Sequence, residues 1–268
     1  MPTFHYPQAL TVAGSDSGGG AGIQADLKTF SALGVYGASA ITAVTAQNTC
    51  AVTAAEAVSP ALIRAQLDAV FTDLPPQAVK TGMLGDSATI DAVADRLAAY
   101  TPPYLVIDPV MVAKSGDRLL ADAAIATLRE RLIPRATLIT PNLPEAGELL
   151  GRAVTTRADM AQAAADLLAL GCDAVLLKGG HLAGDGSDDL LLTVAGATWL
   201  TAARYPGKNT HGTGCTLSAA ITAGLAKGLP LHEAVQAAKD YIGAAIAAAD
   251  RLHVGHGHGP LHHFHRWW

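Results

Sequence analysis

A chain of 268 residues, 50% apolar and 15% charged with a net charge of −5, is expected to fold as one α/β domain over residues 1–268 around a large core. Its charges form no basic stripe of the kind that holds a nucleic-acid backbone, so small-molecule partners are expected. The opening MPTFHYPQAL has neither a basic n-region nor an apolar h-region, and Cys50, Cys172 and Cys215 have no CxxC spacing, which predicts reduced thiols in the cytosol.

In chain order, the apolar run ALTVAG (9–14) predicts a buried first strand, and the Gly-rich SDSGGGAG after it predicts a turn. Ile23, Leu27 and Phe30 then recur at helical spacing, and Gly34 closes that helix. No charge occurs between Lys28 and Glu56, but Gly34, Gly37, Gln47 and Asn48 make the stretch too polar to cross a membrane. Within it, ASAITAVTAQN is β-branched and predicts a central strand with Gln47 at its carboxyl end. Ser59 and Pro60 open the next helix as cap and first residue, with Leu62, Ile63, Leu67, Val70 and Phe71 turned inward.

The alternation continues through strand AVKTGM (78–83), a helix around Ile90, Val93 and Leu97, strand YLVID (104–108), and a helix around Ile125 and Leu128. Strand TLIT (137–140), a helix over about 159–170 and strand AVLLKGG (174–180) follow. Strands and helices alternating at this spacing predict a parallel sheet covered on both faces. After Gly184 the pattern changes: DDLLLTV and ATWLTAAR flank an Ala195–Gly196 turn and predict an antiparallel edge hairpin. Two helices, about Gly214 to Lys227 and about Leu231 to Asp250, end the chain's regular structure.

Open α/β sheets bind ligands outside the carboxyl ends of their strands. That rule gathers Gly14 to Gly22, Gln47, Met83, Asp108 to Val110, Asn142 to Glu145, Lys178 to His181 and the loop before Cys215 on one edge. The segment GSDSGGGAG lacks the GK[ST] of a P-loop. Gly20, Gly22 and Ala25 meet a loose dinucleotide fingerprint, but no acid from Leu27 to Ala55 would hold a ribose, which weighs against a dehydrogenase. Asp108 ends a strand ahead of Pro109, and Asn142 and Glu145 stand three apart at a helix start. Such oxygen ligands suit Mg²⁺, and the Asn142–Glu145 pair equally suits a simple helix cap with a first-turn acid.

The loop NTHGTGC precedes an apolar helix (Leu217, Ile221, Leu225), so Gly212, Thr213, Gly214 and Cys215 present N–H groups at a positive helix end, an anion site. Lys178 and Lys239 either add cations there or are ordinary solvated lysines. The tail HVGHGHGPLHHFHRWW carries six histidines with no acidic or cysteine partner, and packing against the body or a neighbouring subunit is expected of it rather than metal binding.

The pieces AGSDSGGGAGIQADLKTF, AITAVTAQNT, KTGML, IDPVM, TPNLPEA, LLKGGH, NTHGTGCTLSAAI and VGHGHGP stand in the order of the ribokinase-like superfamily. Over nearly its whole length the chain resembles the hydroxymethylpyrimidine and phosphomethylpyrimidine kinases of thiamine biosynthesis. The resemblance implies a three-layer αβα ribokinase-like fold, with a mostly parallel central sheet, in a homodimer. It also implies two successive transfers of the ATP γ-phosphoryl group with Mg²⁺, first to the alcohol of 4-amino-5-hydroxymethyl-2-methylpyrimidine and then to its phosphate.

Carried over by motif, Asp26 and Gln47 would hydrogen-bond the aminopyrimidine beside Met83 and Val110. Asp108 and Glu145, with Asn142, would handle Mg²⁺ and the phosphates, and Lys178, Thr213 and Lys239 would face ATP. Cys215 would be the catalytic base over an anion hole of Gly212, Thr213 and Gly214. The broader sugar kinases end the matching loop in aspartate, as DTxGAGD, where this chain has a thiol. Related pyridoxal kinases share the cysteine, so pyridoxal stays open as a substrate. A vitamin-binding protein without turnover is the other alternative, although a binder has no use for Asp108, Glu145, Lys178 and Cys215 together.

At a helix N-terminus the thiol is expected to lie below its free pKa of roughly 8.5 and so to supply a thiolate base. The second acceptor is itself anionic. A fixed carboxylate 4 Å away would repel it by about 4 kcal/mol at an effective dielectric near 20, whereas a thiol can lose its charge.

Overall fold

The β-branched, uncharged runs become strands of one sheet, and the segments of helical period cover it. The computed structural model describes residues 5–111, 120–182, 186–202, 204–205 and 207–268. The elements are β1 (Gln8–Asp16), α1 (Gly22–Ala32), β2 (Tyr36–Gln47), β3 (Val52–Ala57), α2 (Pro60–Asp73), β4 (Ala78–Thr81), α3 (Ser87–Tyr100), β5 (Tyr104–Ile107) and α4 (Asp122–Thr127). They continue as β6 (Leu138–Ile139), α5 (Leu143–Leu150), α6 (Arg157–Leu168), β7 (Ala174–Leu177), β8 (Asp189–Thr193), β9 (Gly196–Leu200), α7 (Thr213–Ala226) and α8 (Leu231–Ala247).

Among the described residues the sheet has nine strands in the order β3-β2-β1-β4-β5-β6-β7-β8-β9. Pairing is parallel from β2 to β7 and antiparallel for β3 at one edge and for β8 and β9 at the other. Ile63, Leu67, Ile90, Val93, Leu149 and Met160 pack on one face of the sheet. Phe30, Leu217, Ile221 and Tyr241 pack on the other. The result is the three-layer αβα arrangement, with apolar burial on both faces as its main stabilising term. All four residues of β4 and of β7 are buried, which is why β7 reads as a continuous apolar run rather than an alternating one.

Helix α7 positions the site. From Thr216 to Ala226 every residue is buried, and its small side chains let α8 approach so closely that a Cβ on Gly224 would lie 2.9 Å from the Ala234 Cβ. Held on all sides, α7 aims its N-terminus at the carboxyl edge of the sheet. The strand order reverses at β1, which has β2 on one side and β4 on the other, and such switch points are where open sheets leave a crevice.

Local signals hold where they are local. Ser59 Oγ accepts from the Leu62 amide with Pro60 in the first turn, and Gly34 closes α1 with φ +72°. Other expectations change. Strand β3 has no counterpart in the sequence reading, because five of its six residues are exposed and leave no apolar alternation. Its pairing moves β2 from a central place to next to the edge. Leu62 is not turned inward but 55% exposed. The hairpin turn falls on Val194 and Ala195, one residue earlier than expected, because Thr193 Oγ1 accepts from the Ala195 amide and Gly196 already opens β9. The helix around Leu128 passes through a π turn (Leu128–Leu132) into a 3-10 turn at Ile133–Arg135, where Pro134 removes a donor. No helix among the described residues is long and apolar enough to cross a membrane.

Candidate active site

The carboxyl edge carries a cavity of about 820 Å³, a size typical of small-molecule sites. Into it β1 brings Gly14, Ser15 and Asp16, β2 brings Thr45 and Gln47, and the segment after β4 brings Gly82 and Met83. Asp108 and Val110 follow β5, Asn142 and Glu145 open α5, Lys178 follows β7, and Thr210 to Cys215 lead into α7. Of the residues expected from sequence, Gln47, Met83, Val110, Asp108, Asn142, Glu145, Lys178, Gly212, Thr213, Gly214 and Cys215 therefore share one cavity. Asp26 and Lys239 do not line it.

The α7 N-terminus depends on Gly212, whose φ is +82°. A side chain there would also overlap the Gly20 carbonyl oxygen, so only glycine lets the two loops meet. Thr213 Oγ1 donates to the Thr210 carbonyl at 2.8 Å, and the Thr213 amide reaches the same carbonyl at 3.4 Å. The amides of Gly214 and Cys215 have no carbonyl one turn back to bind and mark the positive end of the helix. A Cβ on Gly214 would stand 3.3 Å from Lys178 Nζ and 3.7 Å from Asp108 Oδ2. Helix end, ammonium and carboxylate thus converge on one spot.

Asp108 Oδ1 accepts from Lys178 Nζ at 3.0 Å and from Thr140 Oγ1 at 3.1 Å, and Oδ2 accepts from Ser218 Oγ at 3.2 Å. Burial opposes its charge, but Lys178 and Lys80 outweigh that and hold the carboxyl below the usual range. Asn142 Oδ1 accepts from the Glu145 amide at 2.9 Å while Glu145 Oε2 accepts from the Asn142 amide at 2.7 Å. The two residues are thus a capping box and also face the cavity. Burial pushes the Glu145 carboxyl up to about 7, with Lys178 pulling it down and Asp108 adding to the rise. Burial also works against the Lys178 ammonium, but Asp108 and Glu145 hold it well above the ordinary lysine range.

Cys215 departs from expectation. Burial pushes its thiol up to about 11; Lys80 and the Gly22 amide pull it down, but Asp26 and Asp108 add to the burial and the rise prevails. The helix end expected to free a thiolate is outweighed, and the resting protein carries a neutral thiol. At pH 8 Cys215 is accordingly expected to react with iodoacetamide at least about tenfold more slowly than a free thiol of pKa near 8.5. The exposed Cys50 should be labelled first. Peptide mass spectrometry over a time course checks this, and preferential labelling of Cys215 would show that the thiolate is present after all.

Asp26 lies beneath the cavity rather than in it. Its Oδ1 accepts from Lys80 Nζ at 2.6 Å and its Oδ2 from Thr11 Oγ1 at 2.6 Å. Both the Asp26 and Lys80 side chains are wholly buried, so Asp26 has no face to offer a pyrimidine. Lys80 sits just under the floor, where a Cβ on Gly82 would be 3.5 Å from its Nζ. Burial disfavours its charge, but Asp26 foremost, with Asp108, raises it above the ordinary value. A lysine inside the apolar AVKT was the overlooked signal, since a charge in a fully buried strand has to be paired. Lys239, on α8, donates to Asp189 Oδ2 at 2.6 Å and to the Ser187 carbonyl at 3.3 Å. Asp189 Oδ1 in turn accepts from the Gly179 amide at 2.9 Å, so Lys239 braces the loop behind the cavity. Asp16 and His211 fall in loops expected on this edge but were given no role from sequence; both line the cavity, 2.9 Å apart.

The histidine-rich tail packs on the body. Leu261, His262 and His263 are buried, Tyr241 donates its hydroxyl proton to the His263 carbonyl at 2.7 Å, and Thr216 Oγ1 meets His263 Nε2 at 3.1 Å. Burial, helped by Lys28, holds His263 down at about 4, so its ring is neutral.

The phosphomethylpyrimidine kinase family model matches residues 16–262. The hydroxymethylpyrimidine/phosphomethylpyrimidine kinase of Rhizobium meliloti (strain 1021) is 59% identical over 261 residues, covering 97% of this chain and 98% of its own. Among solved structures, the phosphomethylpyrimidine kinase of Clostridium difficile 630 superposes with a TM-score of 0.80 at 48% identity, covering 89% of this chain and 99% of that one. The pyridoxal kinase of Staphylococcus aureus in complex with AMP-PCP and pyridoxal gives a TM-score of 0.90 at 34% identity, covering 98% and 96%. With motif order, sheet topology and whole-length identity in agreement, this chain belongs to the phosphomethylpyrimidine kinase family.

Proposed function

We propose that the protein transfers the γ-phosphoryl group of ATP to the alcohol of 4-amino-5-hydroxymethyl-2-methylpyrimidine and then a second one to the resulting monophosphate, giving the diphosphate used in thiamine biosynthesis. One observation carries the reading: the α7 amides, Lys178 and Asp108 converge at one part of a cavity that Gln47, Met83 and Val110 also line. A phosphate is received among fixed positive groups while a planar ring is held beside it.

Phosphoryl transfer through a loose transition state depends on positioning and on spreading negative charge over fixed donors. The amides of Gly214 and Cys215 and the Lys178 ammonium are those donors, set before substrate arrives and needing no reorganisation. Asp108 keeps the Lys178 side chain in place. Asp108 and Glu145 also offer the oxygen donors that Mg²⁺ takes together with phosphates and water, and Mg²⁺ bound there would neutralise phosphate charge. Met83 and Val110 exclude water from around the ring, and Gln47 offers an amide to its polar edge. Cys215, at the head of α7, is the group we assign to take the alcohol proton. We take the chain to act as a single ribokinase-like domain, in the cytosol and as a homodimer.

Pyridoxal is the second reading, and overall shape does not separate the two, since one fold hosts several substrates. Identity favours the pyrimidine: 59% and 48% to pyrimidine kinases against 34% and 40% to pyridoxal kinases. With Mg·ATP, a coupled assay of ADP release is expected to respond to the pyrimidine alcohol and to its monophosphate, and more weakly to pyridoxal. Release with none of the three would overturn the kinase reading in favour of a ligand-binding protein.

A further inference from the structure

The mechanism above leaves Asp16 and His211 without a task, although both line the cavity with Gln47. His211 Nε2 lies 2.9 Å from Asp16 Oδ2 and 3.2 Å from the atom placed as Gln47 Nε2. One imidazole nitrogen donates or accepts, so it cannot donate to Asp16 and accept from an amide N–H at once. Asp16 decides between the two. Its Oδ1 accepts from the Gly18 amide, and its Oδ2 accepts from the amides of Gly20 and Ala21. Burial opposes its charge, but His211 and the amides of Ala21 and Gly18 hold the carboxyl below its usual range. An ionised carboxylate only accepts, so His211 Nε2 carries a proton, and the Gln47 amide has to turn over from its placed orientation to set its oxygen, rather than its NH₂, against that proton.

Thr45 accommodates that turn. Thr45 Oγ1 lies 2.8 Å from the Ser15 carbonyl oxygen and 3.2 Å from the atom placed as Gln47 Oε1, with one hydroxyl proton for the two; given to the nearer Ser15 carbonyl, that proton leaves Thr45 Oγ1 an acceptor toward Gln47. The end of the turned amide that faces Thr45 is the NH₂ group. Amide oxygen and nitrogen are alike in shape, and the hydrogen-bond network assigns them; with His211 Nε2 donating, the turned orientation avoids setting one N–H against another.

We propose that the Asp16–His211 pair is a positioning device that locks the Gln47 amide, oxygen toward His211 and NH₂ toward Thr45, so that the site reads the donor–acceptor order along the edge of the pyrimidine. The lock is braced from two sides. The His211 amide donates to the Gly259 carbonyl at 3.1 Å, and its ring lies so near Gly20 that a Cβ there would be 2.5 Å from Cδ2. Locked in this way, Gln47 keeps one oxygen lone pair and one N–H for a ligand, in fixed order. A 4-aminopyrimidine presents an exocyclic N–H beside a ring nitrogen acceptor, the pattern a glutamine amide pairs with on adenine. A 4-oxopyrimidine presents the reverse, a ring N–H beside a carbonyl. A free amide would turn over to meet it, and a locked one does not.

The inference rests on the pyrimidine-kinase reading and extends it from the substrate's class to how its edge is chosen. The test is steady-state kinetics with 4-amino-5-hydroxymethyl-2-methylpyrimidine and with its 4-oxo counterpart. The wild-type protein is expected to favour the amino alcohol by about 10- to 100-fold in kcat/KM, the range of one bidentate pair. His211→Phe keeps a ring against Gly20 but no proton donor, and is expected to reduce that preference at least about fivefold, mainly through KM for the amino alcohol. His211→Gln, which restores an N–H donor, is expected to recover it. Equal losses toward both alcohols in His211→Phe, or an undiminished preference, would overturn the inference.

Asp16→Asn removes the ionised acceptor and has to lower the same preference, so an unchanged preference there overturns the inference even where His211→Phe does not fold. A wild-type protein that phosphorylates both alcohols without preference defeats this inference alone. One inert toward both defeats the kinase reading and the inference with it.

Discussion

Replacing Cys215 with alanine is expected to lower kcat toward the pyrimidine alcohol by about 10²- to 10⁴-fold, the usual worth of a positioned base, while phosphorylation of the monophosphate falls by less than about tenfold. The two acceptors differ in what they ask of the site. An alcohol must lose its proton as the phosphoryl group arrives, whereas a phosphate monoester already presents an anionic oxygen. The thiol, raised to about 11 by burial and by the Asp26 and Asp108 carboxylates, is neutral in the resting protein and does not repel the second acceptor. Since its pKa lies above neutrality, the thiolate fraction grows as pH rises, and kcat toward the alcohol should climb between pH 7 and 9 while that toward the monophosphate stays flat.

Cys215→Asp puts a fixed charge in the same place. It is expected to keep much of the alcohol activity and to lose about 10³-fold toward the monophosphate, the equivalent of about 4 kcal/mol between unit charges 4 Å apart at an effective dielectric near 20. Rates of ADP release with each acceptor check both variants. Equal losses on the two acceptors in the alanine variant, or equal retention in the aspartate variant, would remove the thiol from this role.

The second large effect is on stability. Lys80→Met is expected to cost about 3–5 kcal/mol, the range for breaking a buried pair by removing one partner, because it leaves Asp26 under the cavity floor with Thr11 and no cation. For a chain of this size that corresponds to a drop in Tm on the order of 10 °C. The loss depends on pH with a definite sign. Burial already pushes the Asp26 carboxyl above its unfolded value, and without Lys80 it rises further, so the folded variant takes up a proton that the unfolded chain releases. The penalty is therefore smallest at low pH, below the unfolded pKa, and grows as pH rises toward the folded one; melts at pH 5 and pH 8 should show the larger deficit at pH 8. Lys80→Met combined with Asp26→Leu and Thr11→Val removes every polar group of the cluster and is expected to regain most of the stability. A single-variant loss below about 1 kcal/mol would show that the pair is not the buried strut the 2.6 Å contact indicates.

Much of the fold was legible because its signals are local. The Ser59–Pro60 start, the Gly34 stop and the Asn142–Glu145 capping box each involve residues a few positions apart, and the period of apolar side chains separates strand from helix without reference to the rest of the chain. Strand β3 escaped because it faces solvent and is defined only by the strand it pairs with.

The site divides the same way. The rule that ligands sit at carboxyl strand ends placed Gln47, Asp108, Lys178 and Cys215 on one edge, and they share one cavity. The rule says nothing about which way a side chain turns once it meets partners far along the chain. Asp26 turns to Lys80, 54 positions away; Lys239 turns to Asp189, 50 away; and His211 reaches Asp16, 195 away.

The sequence by itself determined the layers, the cavity edge and the residue types that gather there, since these follow from periodicity and strand direction. Only the tertiary structure shows that burial raises the Cys215 thiol, that Asp26 pairs with Lys80 beneath the cavity, and that Asp16, His211 and Gln47 meet within it. Charge state and hydrogen-bond direction are sums over every neighbour in space, and no stretch of sequence contains those neighbours.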